Sequence, residues 1–115
     1  MFRALRLALA VLLAAPIVSS SAASNPPNAP LLAEGREIAK RNCGRCHAIA
    51  ARDHGADPRS PPFREISRRY PLSGLEEPLA EGIMVGHEGL EMPHFQLTSA
   101  QIEALLAYMD SVQLK

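Results

Sequence analysis

Two cysteines and a histidine stand close together in this sequence, and their spacing points to a definite chemistry. The run Cys43-Gly44-Arg45-Cys46-His47 places two thiols about one helical turn apart, with an imidazole directly after the second thiol. Thiols at this spacing can reach the two vinyl groups of a porphyrin, and the adjacent imidazole is then positioned to ligate the iron. The run therefore predicts one c-type haem, attached through Cys43 and Cys46 and ligated by His47.

Three other uses of these thiols stay open from the motif alone. A structural disulfide between Cys43 and Cys46 suits a protein exported to an oxidising compartment. A redox-active pair would sit in a βαβ setting, and no alternating β-rich segment surrounds this one. A zinc site would need two further ligands at recognisable spacing. The position of His47 directly after Cys46 favours haem over all three.

The first 23 residues are typical of a secretory signal peptide. Arg3 and Arg6 give a positive start, an apolar run covers 7–15, and small residues allow cleavage near Ala23. An uncleaved membrane anchor is the alternative, but the apolar run falls well short of the roughly 20 residues that span a bilayer. We therefore expect a periplasmic protein whose signal peptide is removed.

Residues 24–30 are expected to form a flexible lead-in, and residues 31–115 one small domain. The lead-in reads SNPPNAP, and its prolines and asparagines favour extended or turn conformations. Two of the twelve basic residues lie in the signal, so ten remain against twelve acidic ones, and a formal charge of minus two argues against nucleic acid as a partner. With three Phe, two Tyr and no Trp in the whole chain, the domain has little aromatic core material of its own, which a haem would supply.

Helical periodicity is clearest at the two ends of the domain. Apolar and small residues recur at helical spacing from Leu31 to Asn42, with charged residues between them, which predicts an amphipathic helix that leads into the haem motif. Thr98 and Gln101 can form a capping box in front of a second amphipathic helix at about 99–112.

Between these helices, prolines and glycines leave room only for short elements. We predict helices over 63–70 and 75–83, the first with Phe63, Ile66 and Tyr70 on a common face. No segment alternates convincingly as a strand. The predicted class is all-α, with long loops wrapped around a cofactor.

Together these features resemble the small class I cytochromes c, soluble electron carriers whose haem iron is held by histidine and methionine, over about residues 31–115. In that family, a glycine eight residues before the first motif cysteine marks the crossing of the N- and C-terminal helices, and the C-terminal helix contributes a leucine and an aromatic residue three apart. The matching residues here are Gly35, Leu105 and Tyr108. Because glycine lacks a Cβ, two backbones can approach closely there. Ala39 stands where the family often has an aromatic residue.

The resemblance also implies a methionine as the second iron ligand, and the matching residue is Met92. The family's methionine occurs in a comparable Met-Pro segment after a glycine-rich loop, and Pro93 biases Met92 toward an extended conformation. Met84 is the rival methionine. A bis-histidine haem is the other alternative, with candidates His54, His87 and His94.

Two sets of supporting contacts follow from the same resemblance. In the family, the iron-bound imidazole donates its other ring nitrogen to a proline carbonyl downstream of the motif; Pro61 and Pro62 are the candidates, and Pro61 fits better because one residue and then an apolar one follow it. The haem propionates need cationic or hydrogen-bonding partners. The nearest supply is Arg64, Arg68, Arg69 and Tyr70.

The function expected from the resemblance is the transfer of single electrons by an exported monohaem cytochrome c that catalyses no reaction of its own. Its partners would be redox proteins bound transiently, such as a respiratory complex, an oxidase or a dehydrogenase, and we expect a monomer with no small-molecule substrate. The alternatives are a haem domain or subunit that serves a periplasmic dehydrogenase, and a peroxidase-like or gas-sensing site with a labile methionine. A haem-free protein would use Cys43, Cys46 and His47 as metal ligands or redox groups.

Overall fold

The computed structural model describes residues 26–82, 86–87 and 90–115. The predicted signal peptide, residues 1–23, and the rival ligand Met84 lie outside the described residues. Within the described ranges, no helix is both long enough and apolar enough to cross a membrane.

Three α-helices and two short 3-10 helices account for about half of the described residues, and the predicted all-α class is confirmed. Helix α1 spans Ala29–Asn42, the 3-10 helices span Phe63–Arg68 and Leu72–Leu75, α2 spans Glu76–Glu81 and α3 spans Ser99–Ser111. Strands β1 (Gly86–His87) and β2 (Leu90–Glu91) pair antiparallel just before Met92. The sequence did not predict this ladder, because two residues a strand are too few to show alternation.

Helix α1 begins two residues earlier than predicted. Pro30 lies in its first turn, where the N–H that proline lacks would have no helical partner. Ala29 and Pro30 therefore belong to the helix and not to the lead-in. At the other end, the N–H of Cys43 still donates to the carbonyl of Ala39 at 2.8 Å, so the haem motif begins directly on the last helical turn.

Helix α3 begins with the predicted capping box. Thr98 Oγ1 accepts from the N–H of Gln101 at 3.3 Å, and Gln101 Oε1 accepts from the N–H of Thr98 at 3.0 Å. The two bonds satisfy backbone donors that have no partner within the helix. The apolar face that follows is buried, with Leu105 1% exposed.

The predicted crossing of α1 and α3 at Gly35 is confirmed. A Cβ on Gly35 would collide with the carbonyl oxygen of Ala104 and would lie 2.6 Å from its carbonyl carbon and 2.7 Å from Cβ of Tyr108. Ala39 is 0% exposed, so the position where the family often has an aromatic residue is closed by the packing around it. The two helices thus touch backbone to backbone at Gly35.

The middle elements differ from the prediction in helix type and length. Phe63 and Ile66 are buried as predicted, but Tyr70 is 56% exposed. The element is a 3-10 helix, which ends at Arg68. With three residues a turn, positions three apart share a face, whereas Tyr70 would align with Phe63 only at the α-helical period.

Helix α2 covers Glu76–Glu81, which is shorter than the predicted 75–83. Gly82 ends it with a φ of 88°, a left-handed conformation that glycine adopts without a steric penalty. Ile83, the last residue predicted for this helix, lies outside the described residues.

Tyr108 joins α3 to the loop that follows the haem motif. Its hydroxyl donates to the carbonyl of Ile49 at 3.0 Å. Burial raises the pKa of the Tyr108 hydroxyl above its ordinary value of 10.0 and outweighs the nearby Arg36 guanidinium, which acts in the opposite direction. The folded protein therefore favours the protonated phenol.

Gly35→Ala is expected to lower the free energy of unfolding of the haem-loaded protein by about 2 kcal/mol. The added Cβ meets backbone that cannot rotate away, which outweighs the gain of about 1 kcal/mol in helix propensity. Denaturant titration measures the change. Gly74→Ala is the matched control, since its nearest neighbour, Cγ of Pro71, lies at an ordinary 3.6 Å. A Gly35→Ala protein as stable as the wild type would contradict the crossing.

Tyr108→Phe should remove part of the loss of stability at alkaline pH. Because the pKa of Tyr108 is raised on folding, its contribution is fully present below the unfolded value of 10.0 and is lost as pH rises through the folded value. At neutral pH the variant loses about 1 kcal/mol with the hydrogen bond to Ile49. Denaturant titrations from about pH 8 to about pH 11 should show the difference from wild type narrowing. A constant difference would contradict the assignment.

Candidate haem site

The haem motif folds as a tight turn at the end of α1. The N–H groups of Cys46 and His47 both donate to the carbonyl of Cys43, at 3.1 and 2.9 Å. Both cysteines are free thiols in the structure, so the alternative disulfide between them is not formed. The turn places the two thiols and the imidazole at one end of the helix.

The two thiols differ in their surroundings. Cys43 is buried and Cys46 is half-buried. Burial raises the pKa of the Cys43 thiol to about 12, so the sulfur stays protonated at neutral pH. A thioether bond to a vinyl group would leave this sulfur with no proton to lose, so the sulfur would stay neutral in its buried, apolar surroundings.

His47 is buried, and its ring orientation is fixed by two contacts. Nδ1 lies 2.7 Å from the carbonyl oxygen of Pro61. Because a carbonyl can only accept, Nδ1 carries the proton and the lone pair is on Nε2, the form in which imidazole binds a metal. The ring of Phe63 lies tilted against His47, with centroids 5.7 Å apart. The hydrogen bond is the one that the resemblance implies for Pro61.

The structure brings the motif residues and Met92 to one cleft of about 350 Å³. Met92 is half-buried there. Two thiols for covalent attachment, an imidazole for the iron and a thioether sulfur that could be a second ligand lie on the walls of one cleft, so the residues present fit a c-type haem. The remaining lining residues are Arg41, Asn42, Arg45, Ser60, Pro93, His94 and Phe95.

The three histidines that could replace Met92 are placed differently. His94 lines the same cleft, and its ring lies so close to Gly82 that a Cβ there would be 2.6 Å from Nε2. His54 is exposed and is not among the lining residues. For His87 the structure describes the backbone of β1 only.

The residues predicted to contact the propionates do not line the cleft. Arg64 donates from a guanidinium nitrogen to the carbonyl of Asp53 at 3.0 Å, and the same nitrogen lies 3.7 Å from the Asp53 carboxylate. Arg68 and Tyr70 are exposed. Their role toward the propionates stays a prediction, and so does that of Arg69.

Sequence reasoning missed Asp53, which organises the loop after the motif. Its carboxylate accepts from the N–H of Ile49 at 3.0 Å and from that of Ala50 at 2.9 Å. An aspartate that bonds to backbone a few residues away is a known turn signal, so this role was accessible from the sequence. Sequence reasoning also did not single out Arg41 and Arg45, which line the cleft; Arg41 precedes the motif by two residues and Arg45 lies within it.

Comparison with known proteins gave one match. The family described as Cytochrome c matches residues 32–113. No curated protein and no solved structure matches the chain. Within the described part of the chain, no group of three or more His, Cys, Asp or Glu side chains is arranged to hold a metal ion.

Asp53→Ala is expected to lower the free energy of unfolding of the haem-loaded protein by about 1–2 kcal/mol, because two backbone N–H groups lose their acceptor. Asp57→Ala is the matched control: the Asp57 carboxylate accepts from one backbone N–H, that of Arg59, and pairs with the exposed Arg59 side chain, so its removal should cost less than that of Asp53. Denaturant titration of both variants provides the comparison. Equal effects in the two variants would contradict the role assigned to Asp53.

Proposed function

The chain belongs to the cytochrome c family, and from this premise we propose that it is an exported monohaem electron carrier. The family implies a covalently bound haem that transfers electrons, and Cys43 and Cys46 fit its attachment motif. In the proposal, His47 and Met92 would be the two protein ligands of the iron. The observation that carries it is the cleft which these four residues line together.

When bound, the haem supplies an iron that cycles between the ferric and ferrous states by one electron. The chain's residues fix the position and the potential of that iron. Cys43 and Cys46 would hold the porphyrin covalently. Because Nδ1 of His47 donates to the Pro61 carbonyl, Nε2 is the nitrogen that would bind the iron. A thioether ligand from Met92 favours the ferrous state and raises the potential relative to nitrogen ligation.

Filled axial positions suit a carrier better than a catalyst. If His47 and Met92 both hold the iron, no coordination position would be open to a substrate, and little would have to reorganise when the iron gains an electron. We therefore propose transient contacts with redox proteins, such as a respiratory complex, an oxidase or a dehydrogenase, made by a monomer. The composition of residues 1–23 supports export to the periplasm.

One observation favours a second candidate function. His94 lines the cleft only two residues from Met92, so a labile methionine would leave an open position beside an acid-base group. That arrangement would serve a peroxidase-like or gas-sensing site. A haem subunit of a dehydrogenase would instead keep the methionine bound.

Met92→Ala is the decisive substitution. The wild type, exported with the c-haem maturation machinery, should keep its haem on a denaturing gel and show the weak far-red absorption band of methionine ligation. Met92→Ala should retain the haem, lose the band and show a reduction potential lower by on the order of 0.1–0.3 V. Met109→Leu, a volume-conserving change at another methionine that is 3% exposed, should keep the band.

The outcomes separate the candidates. Absence of covalent haem would contradict the whole proposal. A band that survives in Met92→Ala would assign the ligand elsewhere, with Met84 the rival. Rapid binding of carbon monoxide to the ferrous wild type would favour the gas-sensing or peroxidase-like site over the carrier.

A further inference from the structure

The side chain of Gln113 lies just beyond the end of α3 and bonds to three backbone groups. Nε2 donates to the carbonyl of Phe63 at 2.6 Å and to that of Met109 at 2.7 Å, and Oε1 accepts from the N–H of Ser67 at 2.9 Å. Carbonyls can only accept and an N–H can only donate, so the orientation of the amide is determined by its partners. No shorter or purely apolar side chain can make all three bonds.

These bonds connect the last turn of α3 to both ends of the 3-10 helix Phe63–Arg68. One partner, the carbonyl of Met109, lies in the last turn of α3 and has only one long backbone bond there, from the N–H of Val112 at 3.3 Å. A fourth bond reinforces the connection, since the N–H of Leu114 donates to the carbonyl of Arg64 at 2.9 Å. The C-terminal residues therefore hold the 3-10 helix against α3.

The 3-10 helix Phe63–Arg68 begins at Phe63, the residue whose ring packs against His47. Phe63 packs its ring against His47 and donates its N–H to the carbonyl of Ala48 at 2.8 Å. Pro62 directly precedes it with a φ of −65°, the value that its ring imposes. Because this link is stiff, the position of Phe63 largely sets that of the Pro61 carbonyl, which accepts from His47 at 2.7 Å.

We propose that Gln113 is a positioning residue for the iron ligand, which keeps the Pro61 carbonyl and the Phe63 ring against His47 and so tunes the reduction potential. The proposal rests on His47 being the haem ligand of the proposed function. A strong hydrogen bond from Nδ1 increases the basicity of the imidazole and favours the ferric iron. Loosening that bond therefore shifts the equilibrium toward the ferrous state.

The test uses the haem-loaded protein with Gln113→Ala and Gln113→Met. Methionine has similar length and no hydrogen-bonding amide, so it fills the space while removing the three bonds. Gln101→Ala is the matched control: it removes a glutamine from the other end of α3, where the side chain bonds to the backbone N–H of Thr98. All three variants should lose stability in denaturant titrations.

Reduction potentials distinguish a positioning role from a merely structural one. At the potential set by a fixed mediator, the ratio of ferrous to ferric protein should rise about threefold in both Gln113 variants. This corresponds to a reduction potential higher by about 30 mV, at 59 mV for each tenfold change. Gln101→Ala should not shift. The Nδ1 proton of His47 should also exchange faster with deuterium in Gln113→Met than in Gln101→Ala of similar stability.

Two results would overturn the inference about Gln113 and leave the proposed function standing. The first is a reduction potential of Gln113→Met equal to that of the wild type. The second is a Gln113→Met protein that does not retain haem while Gln101→Ala does. The second would assign Gln113 to the fold and not to His47. A wild type without covalent haem, or without a reversible one-electron wave, would instead overturn the proposed function and this inference with it.

Discussion

The site depends on the contact of α1 and α3 at Gly35, where the backbone of Ala104 occupies the space that a Cβ would need. Helix α1 leads directly into the motif, so this crossing determines where Cys43 and His47 lie. Helix α3 ends at Ser111, and the crossing equally determines where the C-terminal residues return to the 3-10 helix. The backbone contact at Gly35 therefore positions both the haem motif, which carries His47, and the 3-10 helix that packs against His47.

The polar groups near that imidazole are arranged so that burial leaves none of them unsatisfied. Among the described residues, every buried side-chain nitrogen and oxygen has a hydrogen-bond partner. His47 has its proton on Nδ1, bonded to Pro61, and its lone pair on Nε2 for a metal. Cys43 is likewise kept uncharged, because burial raises the pKa of its thiol and so favours the neutral form until a thioether bond replaces the thiol. These are the conditions under which a small domain can enclose an apolar cofactor as part of its core.

Sequence reasoning succeeded where the determining interactions are local. The capping box of Thr98 and Gln101 and the motif turn involve residues three or four apart, and periodicity reveals the two long helices. Tyr70 was assigned to the wrong face because the sequence does not show whether a short helix is 3-10 or α, and packing decides between them. Gln113 bonds to Phe63, 50 residues earlier, and no local pattern reports such a contact.

His47 is proposed to bind iron through Nε2 while its Nδ1–H stays bonded to the carbonyl of Pro61. The most direct measurement is nuclear magnetic resonance of the reduced, haem-loaded protein with ¹⁵N-labelled histidine. We expect His47 to show a proton on Nδ1 that exchanges slowly with solvent and an Nε2 signal displaced by the metal. A proton found on Nε2, or an Nδ1 proton that exchanges as fast as that of an exposed histidine, would contradict this proposal.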